Sequence, residues 1–312
     1  MNHVIGRLVR AVLTVFGAIT IVFLILRLTP GDPVLIILGD YATPELIATM
    51  RTQYGLDQPL PVQYAIFLKN TVTGNFGYSL QKKQEVVGII RDSLPYTVSL
   101  AFGAMLVTCL IGIPLGTVAA LKRGSLTDFA AMVISLLGVS TPGFLLALLL
   151  IYVFAYQYSL FPVQGAGEGR GPVAFLYYLI LPSFALGFQA AALVARTTRS
   201  ALLEVMGEDY MRTARAKGLR ESIVLRVHAF RNGLVPILAV LGIYFGQLLG
   251  GAAVAEIVFG RPGLGKLLVD AILQRDYPLS QALITVFLVG VIGVNVVTDL
   301  LYSAADPRIR RA

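Results

Sequence analysis

Ser93-Leu-Pro-Tyr-Thr-Val-Ser-Leu-Ala-Phe-Gly-Ala-Met-Leu-Val-Thr-Cys-Leu-Ile-Gly-Ile-Pro-Leu-Gly-Thr-Val-Ala-Ala-Leu121 runs for 29 residues without a charged side chain. About 20 residues of helix cross the ~30 Å hydrocarbon layer of a bilayer, so this stretch spans with turns to spare. Phe129 to Gly167, Gly171 to Ala195, Asn232 to Ala255 and Tyr277 to Thr298 are charge-free and equally able to cross. Ala11 to Leu26 has 16 residues and reaches spanning length when Arg7, Arg10 and Arg27 extend their charged heads to the interfaces. The run from Phe129 to Gly167 is too long for one helix. Ser159-Leu-Phe-Pro162 followed by Gly165, Gly167 and Gly169 makes its second part a surface loop. The reading is an all-α membrane protein with six transmembrane helices.

Composition points the same way. Of 312 residues 56% are hydrophobic and 13% charged, against about 25% charged in ordinary soluble domains, and the mean hydropathy is +0.78. The single cysteine, Cys109, lies inside an apolar run, which excludes a disulfide scaffold and a zinc site built from several cysteines. Arg7 and Arg10 ahead of the first apolar run resemble the start of a signal peptide. No small-x-small cleavage pattern follows before Arg27-Leu-Thr-Pro-Gly-Asp-Pro33, so the segment reads as an uncleaved anchor.

Basic residues orient the spans. With the N-terminus inside, the inner segments hold 15 of the 25 Lys and Arg and seven of the 17 acidic residues, so the whole net charge of +8 lies on one side. Lys and Arg in short loops favour the cytoplasmic side, which places both termini there. The charge is then topology and contact with membrane lipid. Nucleic acid is not a partner, because no soluble basic domain exists to present it.

Three regions follow: residues 1–29 with the first helix, an extracytoplasmic cap at 30–92, and a core at 93–312 that carries a cytoplasmic loop at 196–231. In the cap, Glu45 to Tyr54 and Pro61 to Val72 have helical apolar spacing, separated by Gly55-Leu-Asp-Gln-Pro59. In the loop, Arg199 to Ala216 reads as a charged helix outside the bilayer with Gly218 as its stop. Glu208 and Arg212 stand at i, i+4 as an ion pair. Such a helix is either a solvated connector or a docking element. For docking, Ala214, Ala216 and Gly218 keep the end slim enough to enter a groove, with Arg212, Arg215 and Lys217 at the rim.

Glu208-Asp-Tyr-Met-Arg-Thr-Ala-Arg-Ala-Lys-Gly-Leu219 resembles the cytoplasmic coupling motif of permease subunits of ATP-binding-cassette importers, in the form used by the dipeptide, oligopeptide and nickel branch. Pro30-Gly-Asp-Pro33, Gly55-Leu-Asp-Gln-Pro59, Gly74-Asn-Phe-Gly-Tyr-Ser79, Phe259-Gly-Arg-Pro-Gly-Leu-Gly265, Arg275-Asp-Tyr-Pro278 and Asp306-Pro-Arg-Ile-Arg310 resemble the same branch. The broader family begins its motif Glu-Ala-Ala, where this chain has Arg212, Thr213 and Ala214. The resemblance implies a bacterial inner-membrane permease of the type I importer fold. Its partners would be a second homologous permease, two cytoplasmic ATP-binding subunits and an extracytoplasmic binding protein that delivers di- or oligopeptides. ATP and Mg would sit on the partner ATPases. The coupling role passes to Tyr210, Arg212, Thr213, Ala214, Arg215, Ala216, Lys217, Gly218 and Leu219. Nickel complexes, glutathione or oligosaccharides are alternative cargoes for the same architecture, and a proton-coupled secondary carrier is the more distant alternative.

Gly260-Arg-Pro-Gly-Leu-Gly265-Lys266-Leu267 nearly matches a phosphate-cradling loop, but Leu267 replaces the hydroxyl that holds Mg²⁺. It reads instead as a tight turn after the fifth span, folding back toward the outer mouth. Just before it, Glu256 lines the outer gate, meets the binding protein, or pairs with Arg261 or Lys266. Carboxylates are absent from the middle of the spans, which counts against an ion-coupled carrier. The amides Gln189, Gln247 and Asn295 are present there, lining the pathway or bonding between helices. Ser140-Thr141-Pro142-Gly143 is expected to bend its helix, as hinge or as close packing. His3 and His228 stand in no zinc pattern and no span carries a nucleophile with its base. No catalytic residue, metal site or cofactor of the chain's own is expected.

Overall fold

In the computed structural model the charge-free stretches are helical, because only a helix satisfies its own backbone groups without water. Residues 2–28, 34, 42–53, 55–79 and 81–305 are described; the motifs Pro30 to Pro33 and Asp306 to Arg310 lie outside them. Helix α1 is Asn2–Leu28, α2 Pro44–Gln53 and α3 Leu60–Thr73, the last two where apolar spacing predicts them. A two-residue hairpin, β1 Tyr78–Ser79 with β2 Gln84–Glu85, is the departure from an all-α chain. Then follow α4 Val86–Leu121, α5 Leu126–Ser140, α6 Gly143–Leu150 with a π-helical extension over Ile151–Gln157, and α7 Pro172–Gly207. After them come α8 Asp209–Ala216, α9 Glu221–Ile223 passing through π-helical Val224–Phe230 into α10 Arg231–Val258, α11 Leu264–Leu273 and α12 Tyr277–Ala305.

Four of these are long and apolar enough to cross a membrane: Val86–Leu121, Pro172–Gly207, Glu221–Val258 and Tyr277–Thr298. The pair Leu126–Ser140 and Gly143–Gln157 makes a fifth if taken as one span, and Val9–Ile25 of α1 is a shorter apolar helix. The bend expected at Thr141-Pro142 is a break of 103° between two half-length helices. Thr141 holds an extended conformation (ψ 123°) ahead of Pro142, as the proline ring demands of its predecessor. Residues 158–171 form the expected loop.

Small residues set the helix directions. Thr108 Oγ1 donates to Gly187 O at 3.0 Å, an offset of 79 positions, and the same register brings Gly112 against Ala191 O and Gly116 against Ala195 O. Helices α4 and α7 are therefore parallel and packed backbone to backbone, as small residues allow in a bilayer. Gly233 meets Leu202 and Gly251 meets Leu186, so α10 runs antiparallel to α7; Gly242 meets Thr298 and Gly246 meets Asn295, so α12 runs antiparallel to α10. Helix α1 packs along α12. At one end α11 seats Leu264, Leu267 and Ala271 on Val86, Ile89 and Ile90 of α4 and on Leu279, Ala282 and Leu283 of α12. There buried Ser79 Oγ donates to Asp276 Oδ2, joining the hairpin to the start of α12.

Candidate functional site

The end of the bundle opposite α11 carries the segment singled out by sequence. One continuous helix from Arg199 to Ala216 does not form: α7 stops at Gly207, and Glu208 is extended (ψ 147°) before α8 begins. The pair expected between Glu208 and Arg212 is replaced by an exposed contact of Arg212 with Asp209 at 3.5 Å, because Glu208 lies outside the helix.

Helix α8 has eight residues, about 12 Å at 1.5 Å each, far too short to be stable alone in water. Packing holds it. Met211 and Ala214, one turn apart, are buried against Ala120, Leu202, Val224 and Ala229; full burial of a Met side chain contributes roughly 1.5–3 kcal/mol. Asn232 Nδ2 donates to Tyr210 OH at 2.8 Å, tying α8 to α10. Arg215 donates through Nη2 at 2.9 Å and Nε at 3.1 Å to the Glu221 carboxylate, and this bonding raises the Arg215 guanidinium above its ordinary pKa. Gly218 ends the turn at φ +73°, with its N–H on Arg215 O at 2.9 Å. Tyr210, Arg212, Thr213, Arg215, Ala216, Lys217, Gly218 and Leu219 are exposed. Ala214 turns into the protein, so it packs and does not thin a docking surface. Met211, absent from the sequence-derived set, is the anchor; its i, i+3 spacing with Ala214 is the signal that marks it.

Beside this segment Asp128 and Arg199 form a two-pronged ion pair, Nε to Oδ1 at 2.6 Å and Nη2 to Oδ2 at 2.8 Å, joining α5 to α7. Gly124 N–H also donates to Asp128 Oδ2 at 3.0 Å. Neither residue is conspicuous in sequence, since 71 positions separate them.

The residues expected from the sequence to line a pathway or gate fall into three places. Gln189 Nε2 donates to Thr141 O at 2.5 Å, fastening α7 to the break at Thr141-Pro142. Gln247 and Asn295, both exposed, line a cavity of about 630 Å³ together with Gly242, Gly246 and Thr298. Glu256 is elsewhere and wholly buried. Its Oε1 accepts from Thr97 Oγ1 at 2.5 Å and its Oε2 from Lys266 N–H at 2.9 Å, while Thr97 Oγ1 accepts from Leu264 N–H at 2.7 Å. Neither proposed ion pair forms: Lys266 Nζ pairs with Asp270 at 2.9 Å. Arg261 is buried, with its guanidinium 6.0 Å from the Tyr96 ring and 5.6 Å from that of Phe175. Burial pushes its pKa below the ordinary value, and the charge of Glu256 opposes this.

The geometry also decides the phosphate-loop resemblance. A phosphate would sit on the free N–H groups at the start of α11, and two of those are already taken by Thr97 and Glu256. A Cβ on Gly263 would strike the Glu256 carboxylate, and one on Gly265 would lie 2.5 Å from Ala253 Cα. These glycines let the turn wrap tightly over the acid and leave no cradle.

Residues 112–311 match the family model described as binding-protein-dependent transport system inner membrane component, and residues 1–101 match that of its N-terminal region. The chain is 41% identical over 310 residues to the glutathione transport system permease protein GsiC of Escherichia coli K12, covering 99% of each. It is 39% identical over 309 residues, again 99% of each, to the probable peptide ABC transporter permease protein y4tP of Sinorhizobium fredii. A solved structure of the MetNI methionine ABC transporter in inward-facing form matches with TM-score 0.58 at 18% identity, covering 70% of this chain and 96% of that one, a likeness of fold alone. The chain belongs to the family of binding-protein-dependent transport system inner membrane components and is a permease subunit of an ABC importer.

Proposed function

We propose that this chain forms half of the translocation pathway of an importer of short peptides, glutathione among them, and that α8 and the turn after it dock into a cytoplasmic ATPase subunit. The observation that supports coupling is the two-faced helix α8: Met211 and Ala214 root it in the bundle, and its other face offers Tyr210, Arg212, Thr213, Arg215 and Lys217. ATP binding on two partner ATPases would move α8, and the bundle would follow as a two-state equilibrium biased by that ligand. A second permease would close the pathway along the face of Gln247 and Asn295, where two exposed amides in the middle of spans need a polar neighbour. An extracytoplasmic binding protein would deliver the cargo. Peptide cargo is supported by the names of GsiC and y4tP.

The parallel course of α4 and α7 supports counting the broken pair α5 and α6 as one crossing, since the chain has to return once between two parallel spans. With α1 that makes six spans, α8 and both termini cytoplasmic, and 30–92 an outer cap. Hydrolysis of ATP belongs to the partners.

Gly218→Trp tests the docking role. Among the described residues nothing lies within 4 Å of a Cβ on Gly218, so the bulk has room within this chain and collides with a docked partner alone. Its left-handed backbone costs any other residue roughly 1–2 kcal/mol, which Gly218→Ala shares without the bulk. The expected result is normal membrane insertion of both, ATP-driven uptake lost in Gly218→Trp and largely kept in Gly218→Ala. Equal uptake by the two variants would remove the docking assignment.

A further inference from the structure

Next to α8 the bundle holds a second cavity, of about 290 Å³, that the coupling proposal leaves unused. Its volume stands at the lower end of the roughly 300–1,000 Å³ range of small-ligand sites. The walls include Leu121, Leu202, Met206, Leu225 and Phe230, and one cation, Arg226, stands among them. Arg226 is exposed, and no carboxylate pairs with it among the described residues. Around it Leu121, Ile223 and Val227 are 48%, 43% and 49% exposed, an apolar collar at the end of the spans. One wall is the π-helical stretch Val224–Phe230, a winding that recurs at functional sites.

Apolar walls with a single exposed cation, at the level where spans leave a bilayer, suit one kind of occupant. A water-soluble anion would answer Arg226 and leave the walls without a partner, while a neutral apolar molecule would do the reverse. We propose that the cavity takes an acyl chain of an anionic phospholipid whose headgroup phosphate pairs with Arg226. Basic recesses between transmembrane helices bind acidic headgroups by this chemistry. Leu202 and Ala229, which line the cavity, also pack against Met211 and Ala214, so the lipid buttresses the floor on which α8 rests. The inference relies on the chain spanning a membrane and not on which side faces the cytoplasm.

The test uses the complex purified with its natural partners, stripped of lipid and titrated with phosphatidylglycerol or phosphatidylcholine of identical chains, with bound lipid counted by native mass spectrometry. Phosphatidylglycerol is expected to be retained at one site per copy of this chain. Arg226→Gln should weaken it about fivefold, the factor for one cation near an acidic headgroup, and weaken phosphatidylcholine less, because the choline cation already balances that phosphate. Met206→Trp, which fills the cavity, should abolish retention; if that variant does not fold, Arg226→Gln decides by itself. Equal binding of the two lipids with no effect of Arg226→Gln would overturn the proposal. So would a crosslink from Leu225→Cys to an ATPase subunit, which would assign the cavity to protein. Intact retention of phosphatidylglycerol alongside equal uptake by Gly218→Trp and Gly218→Ala would sink the coupling reading and leave the lipid site standing.

Discussion

Replacing Glu256 with Ala removes the acceptor of two hydrogen bonds, a buried one from Thr97 Oγ1 at 2.5 Å and a part-buried one from Lys266 N–H at 2.9 Å. Bonds to an ionised group contribute about 1.5–3 kcal/mol each, so their joint loss costs on the order of 3–6 kcal/mol. At about 2–4 °C per kcal/mol for a chain of this size, the unfolding temperature should fall by at least ~6 °C. Glu256→Gln fares better: its Oε1 can accept from Lys266 N–H while its Nε2 donates to Thr97 Oγ1, which keeps two of the contacts. The assay is thermal unfolding of the detergent-solubilised complex, followed by size-exclusion of the fluorescently tagged chain, with uptake measured in parallel. The expected order is wild type, then Gln, then Ala. An Ala variant that melts within ~2 °C of wild type and yet fails to transport would refute the bracing role and return Glu256 to the outer gate.

Gly112→Ala places a Cβ 2.7 Å from Ala191 O and 3.0 Å from Val194 Cβ, so overpacking of about 1–3 kcal/mol should exceed the ~1 kcal/mol gained in helix propensity. Gly290→Ala, with nothing within 4 Å, should be neutral or stabilising in the same melting assay, and a reversed order would refute the packing of α4 on α7. Arg199→Met leaves the largely buried carboxylate of Asp128 without its partner, and it should lower the melting temperature more than the double variant Arg199→Met with Asp128→Asn; equal loss in both would show that the pair does not join α5 to α7.

Much of this was legible from residue order, because a bilayer imposes length and polarity on each span separately. Charge-free runs marked the long helices, and Gly218 stood where a left-handed residue was needed. The breaks were harder to read. Gly207-Glu208 ends α7 inside what charge spacing marks as one helix, since periodicity reports that a face repeats and not that the chain turns. Thr141-Pro142 announced a bend, but neither its size of 103° nor the bond of the Thr141 carbonyl to Gln189, 48 positions away, can be read from the local residues. The partners of Glu256 were hidden for a related reason: neighbours in sequence offered Arg261 and Lys266 as ion pairs, while the side chain it bonds to, Thr97, comes from 159 positions away. Helix α11 begins inside the stretch that resembles a phosphate loop, and the glycines of that stretch mask its start. Ser79 and Asp276 belong to two separate motifs, and their meeting across 197 positions explains what each stretch does for the other.

A permease that works as one part of a larger ATP-driven assembly leaves the membrane with its partners, and the mass of the intact complex reads this out. Extracted from its native membrane in mild detergent and weighed by native mass spectrometry, the tagged chain should appear with a second permease and two ATPase chains. A lone chain or a homodimer, reproduced under milder extraction, would contradict the account and restore the secondary-carrier reading.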